Sequence, residues 1–262
     1  MSFSGSWQAH ISGLLTYGVR VSPRGMPTLE VPQHTIRVNT REPVLNIAER
    51  KLNYQFMAAE AYWILIGDDK VKTIEPYNKN IAQFSDDGET FYGAYGPRIK
   101  DQLQYVVDTL LRDEDTRQAG LTLWHRNPRV SHDIPCTIAI FFSIRQKQLN
   151  THIYMRSSDV WLGLPYDVFT FSMLCHLVCS KINSTPHRER IITPGQLYLT
   201  AASSHLYSRD DHKVDECMKA GYPLQQQTPD ILHLDPAMLM EVLKNLRSSS
   251  PGDEIRWWEK SP

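Results

Sequence analysis

The sequence has few cysteines, no long apolar run and no secretion signal. Its four cysteines are irregularly spaced, which excludes a scaffold stapled by disulfides. No apolar run approaches the roughly 18 residues that a membrane span requires. The N-terminus lacks the basic and then apolar pattern of a secretory signal. We therefore expect a cytoplasmic protein that does not bind a membrane.

The near balance of charge excludes a further class of function. The chain has 28 basic and 29 acidic side chains, so its net charge is −1. Such a chain has no global basic field that would attract nucleic acid. We expect no direct binding of nucleic acid, and any anionic ligand must be held by a local cluster of arginines.

The composition is that of an ordinary globular protein. Of the 262 residues, 41% are hydrophobic and 22% are charged, and a chain of this length can bury a core without disulfides. Neither an internal repeat nor a break in composition divides the chain. We therefore predict a single domain over residues 1–262, with a C-terminal tail over residues 248–262.

Segments of strand and helix character alternate along the chain, which predicts an α+β or α/β fold with a central mixed sheet flanked by helices. The periodicity of apolar residues predicts strands over 28–38, 121–124, 134–144, 149–155 and 196–202, and helices over 46–67, 101–112, 165–181 and 236–246. Cys175 and Cys179 lie four residues apart on one of these helices, and we interpret them as core residues. We expect no metal site.

Cys136 is the first candidate for chemistry. It begins an apolar segment after a proline, and composition alone favours packing in the core. A charged turn at residues 145–148 joins this segment to the next strand, so antiparallel pairing would bring Arg156 to the level of Cys136. A guanidinium beside a thiol stabilises the thiolate and can also bind a phosphate. The pair indicates a nucleophile directed at a phosphate-bearing substrate.

Three further polar positions stand out. Glu60 interrupts an apolar helix, where its head either reaches solvent or handles protons in a site. Asp167 begins another apolar helix, where the helix dipole alone would favour a carboxylate. His205 and Tyr207 alternate at the end of a strand and so point to one face.

Seven stretches, taken in order between residues 22 and 210, resemble the thymidylate synthase superfamily. They are residues 22–28, 60–69, 93–96, 101–118, 135–137, 154–167 and 203–210. The resemblance implies the thymidylate synthase fold and a homodimer that forms through the sheet. It also implies a pyrimidine nucleoside monophosphate as substrate and 5,10-methylenetetrahydrofolate as cosubstrate.

The departures from the synthase pattern resemble the phage deoxycytidylate hydroxymethylase branch. Synthases read P-C-H, Q-R-S-G-D and H-x-Y-x-N-H where this chain has residues 135–137, 155–159 and 205–209. They also carry asparagine in place of Asp167. A carboxyl group can accept from the amino group at C4 of cytosine and share a proton with N3, a pattern that asparagine mismatches. Asp167 therefore favours a cytosine nucleotide over a uracil nucleotide.

The resemblance assigns roles residue by residue. Cys136 would add to C6 of the pyrimidine, and Glu60 would assist proton transfer at C5, with Asp167 reading the base and Tyr95 near the proton network. Among the remaining positions, the implied phosphate and sugar contacts are Arg24, Arg117, Arg156, Ser157, His205 and Tyr207, and the implied folate contacts are Asp159, Trp63 and Gly163. Arg117 would reach the phosphate of the partner subunit, and the second arginine of that clamp is replaced by Gln118.

The product and the sugar stay open at this point. Residues 80–84 contain no tryptophan, and the tail with Trp257 and Trp258 differs from the short apolar tail of the synthases. Both departures favour capture of water and hydroxymethylation over methylation with release of dihydrofolate. We favour deoxycytidylate over cytidylate, the substrate of similar enzymes of nucleoside antibiotic synthesis. The cytoplasm of a phage-infected cell is the setting that the phage branch implies. A catalytically silent nucleotide-binding homologue is the alternative outside the enzymes.

Overall fold

A mixed sheet of seven strands forms the centre of the molecule. The structure is a computed structural model that describes residues 2–186, 191–219 and 236–248. The strands are β1 Val19–Val21, β2 Thr28–Asn39, β3 Gly120–Thr122, β4 Thr137–Arg145, β5 Gln148–Met155, β6 Ser158–Asp159 and β7 Thr193–Tyr207. The α-helices are α1 Phe3–Tyr17, α2 Tyr54–Leu65, α3 Val71–Ile74, α4 Tyr95–Arg112, α5 Leu164–Asn183, α6 Asp211–Lys219 and α7 Pro236–Leu246.

The strand order is β1-β2-β7-β5-β4-β3, and β6 adds to β7. β5 and β6 each run parallel to β7, whereas the other neighbouring strands are antiparallel. The sheet is therefore mixed, and the α+β class with a central sheet flanked by helices is confirmed.

The helices cover one face of this sheet. α5 packs on β5 and β7, α1 packs on β2, and α2 packs on α5 in the next layer. Along β5, and along β4 from Ile140 onwards, every second side chain is buried, as expected for strands with one covered face. On the other face Ile138, Phe141 and Tyr154 remain exposed by about two fifths or more. Within one chain, this apolar face has no covering layer among the described residues.

The segments predicted from periodicity correspond to elements of the structure. The helix predicted over 236–246 has the same bounds as α7, and the other segments have different ends. The helix predicted over 46–67 is wrong over its first turns, where the chain forms only a 3-10 turn at Ala48–Arg50. The α-helix begins after Asn53, whose side chain accepts a hydrogen bond from the Phe56 N–H at 3.0 Å. This N-cap sets the start of α2 more strongly than the apolar pattern does.

Helix α1 was not among the predicted elements. Its buried side chains Phe3, Trp7, Ile11 and Leu14 recur at helical spacing, and the Ser2 side chain caps its N-terminus. The signal was therefore present in the sequence. β4 also begins later than predicted, at Thr137, which leaves Cys136 immediately outside the strand.

Among residues 2–186, 191–219 and 236–248, no helix is both long enough and apolar enough to span a membrane. Nearly all of the tail predicted over 248–262, including Trp257 and Trp258, lies outside the described residues.

Candidate active site

The hairpin of β4 and β5 brings Cys136 and Arg156 together. Thr137 pairs with Met155, and one residue further out the Arg156 N–H donates to the Cys136 carbonyl at 2.8 Å. The Ser157 hydroxyl donates to the Cys136 sulfur at 3.6 Å. The strand register thus places a thiol, a hydroxyl and a guanidinium at the same end of the sheet.

Backbone carbonyl groups just before Cys136 hold the Arg156 side chain in place. Its Nε donates to the Pro135 carbonyl and its Nη2 to the Ile134 carbonyl, both at 3.0 Å. Arg156 and Ser157 lower the pKa of Cys136, but burial of the thiol outweighs them and leaves the pKa raised. The guanidinium therefore opposes desolvation of the thiolate without overcoming it.

A cleft of about 190 Å³ opens beside Cys136. α2 contributes Glu60 and Trp63, α5 contributes Asp167, and Tyr95 is the first residue of α4. Glu60, Tyr95 and Asp167 are far apart in the sequence, and the packing of α2, α4 and α5 brings them into one cleft with Cys136. The four catalytic candidates thus lie together.

Burial sets the protonation of the two carboxyl groups in this cleft. It raises the pKa of Glu60 to about 8, with the nearby Asp167 as a second cause. It raises the pKa of Asp167 to about 7, with Asp159 as a second cause. The dipole of α5 alone would lower the pKa of Asp167. Desolvation exceeds that effect, so both groups can carry a proton near neutral pH.

Tyr95 closes one side of the cleft as a neutral phenol. Its oxygen accepts hydrogen bonds from the Thr137 N–H and hydroxyl, each at 3.2 Å, and its ring stacks on Phe171. Burial raises the pKa of the phenol above its usual range, because the charged form would be desolvated.

Several residues of the cleft were not identified from the sequence. They include Asp133, Phe91 and Thr170. Thr170 lies three residues after Asp167 on the same helix, and this spacing is a signal that could have identified it. Trp63 Nε1 and Thr170 Oγ1 are both buried without a hydrogen-bond partner in the described part of the chain. Such groups in a cleft are suited to binding polar atoms of a ligand or water.

A second and larger cleft, of about 900 Å³, continues from the first. Both clefts are lined by Glu60 and Asp167, and the larger one also by Asp159 and Gly163. The Asp159 carboxylate accepts from the Trp161 and Leu162 N–H groups at 2.8 and 2.9 Å. A side chain at position 163 would place its Cβ 3.3 Å from the Asp167 carboxylate. A side chain at position 163 would therefore crowd the carboxyl group that lines both clefts.

The candidate sugar and phosphate contacts lie around the ends of β6 and β7. Asp159 pairs with His205, and the charges of Asp159 and Arg156 both act on the pKa of His205. The His205 and Tyr207 rings meet edge to face at 5.2 Å, and Arg24 donates to the Tyr207 hydroxyl at 3.4 Å. These groups form a polar rim near the Cys136 end of the sheet.

Arg117 lies away from this rim. It precedes β3, where Gly120 pairs with Phe141, five residues along the hairpin strand from Cys136. Five residues of strand correspond to roughly 16 Å. The exposed Arg117 therefore does not join the Cys136 cleft of its own protomer.

In the described ranges, no group of three or more histidine, cysteine, aspartate or glutamate side chains is arranged to hold a metal ion. Cys175 and Cys179 are buried in α5, as their interpretation as core residues predicts.

Comparison with known proteins gives one family and two named relatives. The family model for thymidylate synthase matches residues 6–235. A deoxyuridylate hydroxymethyltransferase of Bacillus phage SP01 is 27% identical over 282 aligned positions, which cover 95% of this chain and 69% of the relative. A deoxyuridylate hydroxymethyltransferase of Pseudomonas phage M6 is 29% identical over 209 positions, which cover 75% of this chain and 57% of the relative.

Proposed function

The chain belongs to the thymidylate synthase family, and from that membership we propose that it hydroxymethylates C5 of deoxycytidylate with 5,10-methylenetetrahydrofolate as one-carbon donor. The family is one of folate-dependent one-carbon transferases. The names of the two phage relatives support hydroxymethylation as the reaction type. The choice of cytosine is supported by Asp167.

The carboxyl of Asp167 in the cleft of Cys136 is the observation that carries the proposal. Its pKa of about 7 lets it hold a proton at neutral pH. Cytosine offers a donor at C4 and an acceptor at N3. One oxygen of a protonated carboxyl accepts from the amino group while its O–H donates to N3. The Asp167 side chain therefore complements cytosine with both of its oxygens.

The thiol and Glu60 carry the chemistry at the ring in this proposal. The Cys136 sulfur adds to C6, which increases the nucleophilicity of C5. Arg156 would bind the nucleotide phosphate, and its charge also acts on the thiol, where it lowers the pKa of Cys136 against the effect of burial. Glu60, whose pKa of about 8 suits proton exchange near neutral pH, removes the proton from C5. Tyr95 orders this network as a neutral donor.

The larger cleft fits the folate. Its volume of about 900 Å³ suits an extended ligand, and it adjoins the thiol cleft at Glu60 and Asp167, which line both. Asp159 and Gly163 would hold the folate there, and Trp63 would contact it from the smaller cleft. When bound, methylenetetrahydrofolate supplies the carbon at the oxidation level of formaldehyde.

The rim residues would hold the rest of the nucleotide. Arg24, Arg156 and Ser157 provide donors for the phosphate, and His205 with Tyr207 can bind the 3′-hydroxyl of the sugar. Arg24 is directed there by a left-handed backbone with φ of 54°. Its contact with Tyr207 joins the phosphate and sugar ends of this proposed site.

A homodimer completes the site. Arg117 lies too far from Cys136 of its own chain, and the sheet has an uncovered apolar face that a second copy would bury. Packing of two such faces would let Arg117 of each chain reach the phosphate held by the other. Gln118 beside it offers a hydrogen bond where the family's second arginine would offer a charge.

Deoxyuridylate is the second candidate substrate, because both phage relatives carry it in their names. Product analysis with dCMP, CMP and dUMP, each with methylenetetrahydrofolate, separates the candidates. We expect 5-hydroxymethyl-dCMP by mass, with formation of tetrahydrofolate and no rise in absorbance from dihydrofolate. Turnover of dUMP alone would overturn the choice of cytosine, and formation of dihydrofolate would indicate methylation. Absence of tritium release from every C5-labelled nucleotide would indicate a silent binding protein.

A further inference from the structure

A third carboxyl group lines the cleft of Cys136 and has no role in the reaction described above. Asp133 lies three residues before Cys136 on the segment that leads into β4. It is half-buried, and its charge is close enough to raise the pKa of Cys136. Glu60 and Asp167 lie on α2 and α5, so Asp133 belongs to a different wall of the cleft.

The local backbone holds Asp133 in one position. Its Oδ2 accepts a hydrogen bond from the Gly93 N–H at 2.6 Å, and its own N–H donates to the Ser131 hydroxyl at 3.0 Å. A Cβ at position 93 would lie 2.6 Å from the Asp133 carbonyl oxygen. Glycine is therefore required for this close approach, and the carboxyl cannot easily turn away from the cleft.

One oxygen of Asp133 is left for a ligand. Among the described residues, Oδ1 makes no hydrogen bond, and the cleft that Asp133 lines also has the apolar rings of Phe84 and Phe91 in its walls. Burial raises the pKa of Asp133, although Gly93 N–H and Arg98 act in the opposite direction. A carboxylate against aromatic walls costs free energy unless a polar partner satisfies it, and water is the partner that fits a small open cleft.

We propose that Asp133 is the general base that holds and deprotonates the water captured at the C5 methylene carbon. This inference rests on the proposed hydroxymethylation and assigns its final step. It assigns the two proton transfers of the reaction to different carboxyl groups. Glu60 acts earlier, on the proton at C5, and Asp133 acts later, on the proton of the water.

The step balances as a conjugate addition followed by an elimination. The water oxygen bonds to the exocyclic methylene carbon, and the π electron pair of that double bond moves into the ring towards C4. The water proton passes to Asp133. The electron pair that moved into the ring then returns to form the C5–C6 double bond, and the C6–sulfur bond breaks. Cys136 leaves as a thiolate and takes up the proton, so no oxidant or reductant is consumed.

The test compares two readouts of one turnover in the Asp133→Asn variant. Tritium release from C5-labelled nucleotide reports the steps up to the methylene intermediate, and the hydroxymethyl nucleotide reports water capture. Reactions contain 2-mercaptoethanol, which traps uncaptured methylene as a thioether. We expect the ratio of hydroxymethyl product to tritium released to fall about 10- to 100-fold, because a positioned base contributes at least this much. The thioether rises correspondingly, while the rate of tritium release is maintained.

Asparagine can still accept from the Gly93 N–H, so the variant is expected to keep the melting temperature of the parent protein. Asp101→Asn, which removes an exposed carboxyl on α4, is the matched control and should leave the ratio unchanged. In Asp133→Ala, added formate should restore hydroxymethyl product without changing tritium release. This rescue would not arise from a merely structural role and is still readable if the asparagine variant folds poorly.

An unchanged ratio in a folded Asp133→Asn variant would overturn the inference. So would a parallel loss of tritium release and product, since that places Asp133 before the capture step. Failure of the proposed function looks different, because the parent protein itself would then release no tritium or form no hydroxymethyl nucleotide.

Discussion

Two helices place carboxyl side chains in the cleft that holds Cys136, and both are near their point of protonation at neutral pH. Glu60 and Asp167 owe this to burial first and to neighbouring carboxylates second. At the scale of single residues, desolvation therefore suits Glu60 to proton exchange and Asp167 to hydrogen bonding with a nucleotide base in the proposed reaction.

The Asp167→Asn substitution tests the second of these roles. An amide oriented for uracil donates to O4 and accepts from N3–H. In that orientation it mismatches both the amino group at C4 and the unprotonated N3 of cytosine, and an unpaired buried group costs about 1–3 kcal/mol. We expect kcat/KM for dCMP to fall by about 5- to 150-fold, the range that this cost corresponds to, and kcat/KM for dUMP to rise. Steady-state rates with both nucleotides measure the change. Equal losses on the two substrates would show that Asp167 does not discriminate between them.

The pH dependence tests the protonation of Asp167. Its folded pKa is raised, so the protonated form that donates to N3 is present below about pH 7 and is lost as the pH rises through that value. We therefore expect kcat/KM for dCMP to decrease above about pH 7. In Asp167→Asn this limb of the profile should be absent. A profile with the same limb in both proteins would assign it to another group.

At the scale of elements, α1 supports the wall of the larger cleft. Trp7 is fully buried, its indole N–H donates to the Val160 carbonyl at 2.7 Å, and its ring lies 6.1 Å from Trp161. Val160 and Trp161 directly follow Asp159. This helix, which was not among the predicted elements, thus packs against a segment of the proposed folate site.

Removal of this contact should be costly. We expect Trp7→Ala to lower the free energy of unfolding by about 3–5 kcal/mol, because it removes a buried aromatic side chain and leaves a cavity. Tyr17→Ala, at the exposed end of the same helix, is the control and should change the free energy of unfolding by less than about 0.5 kcal/mol. Urea unfolding of the three proteins measures both. A small effect of Trp7→Ala would mean that α1 contributes little to the fold.

At the scale of the whole molecule, the proposed homodimer would make each site depend on two chains, because Arg117 lies away from Cys136 of its own chain. Mixed dimers test this dependence. Cys136→Ser and Arg117→Ala should each be inactive or weakly active alone. A mixed dimer of the two contains one site with both residues intact.

Random reassociation of equal amounts should restore up to about a quarter of the parent activity, since half of the dimers are mixed and each has one complete site of two. Activity measured after unfolding and refolding the mixture together, against the two variants refolded apart, gives the result. No recovery on mixing, with dimers shown by sedimentation, would place Arg117 outside the site.

Local sequence patterns predicted most helices and strands and the proximity of Cys136 to Arg156. The reason is that the register of a hairpin depends on its turn, and this turn is a short charged segment that can be read from the sequence. The start of α2 was wrong because a single capping residue, Asn53, decided it. The assignment of Glu60, Asp167 and Tyr95 to one site came from family resemblance, and the structure brings these residues into one cleft.

The sequence by itself determined the set of reactive side chains and the spacing by which they resemble a family, because both depend only on the order of residues. Tertiary structure alone decided that Asp133 shares the cleft of the thiol, that Glu60 and Asp167 line two adjoining clefts, and that burial outweighs Arg156 in setting the pKa of Cys136. These properties depend on distances between α2, α5 and the segment before β4. Packing sets those distances. Desolvation depends on all the atoms packed around a group, and a local pattern of residues carries no information about them.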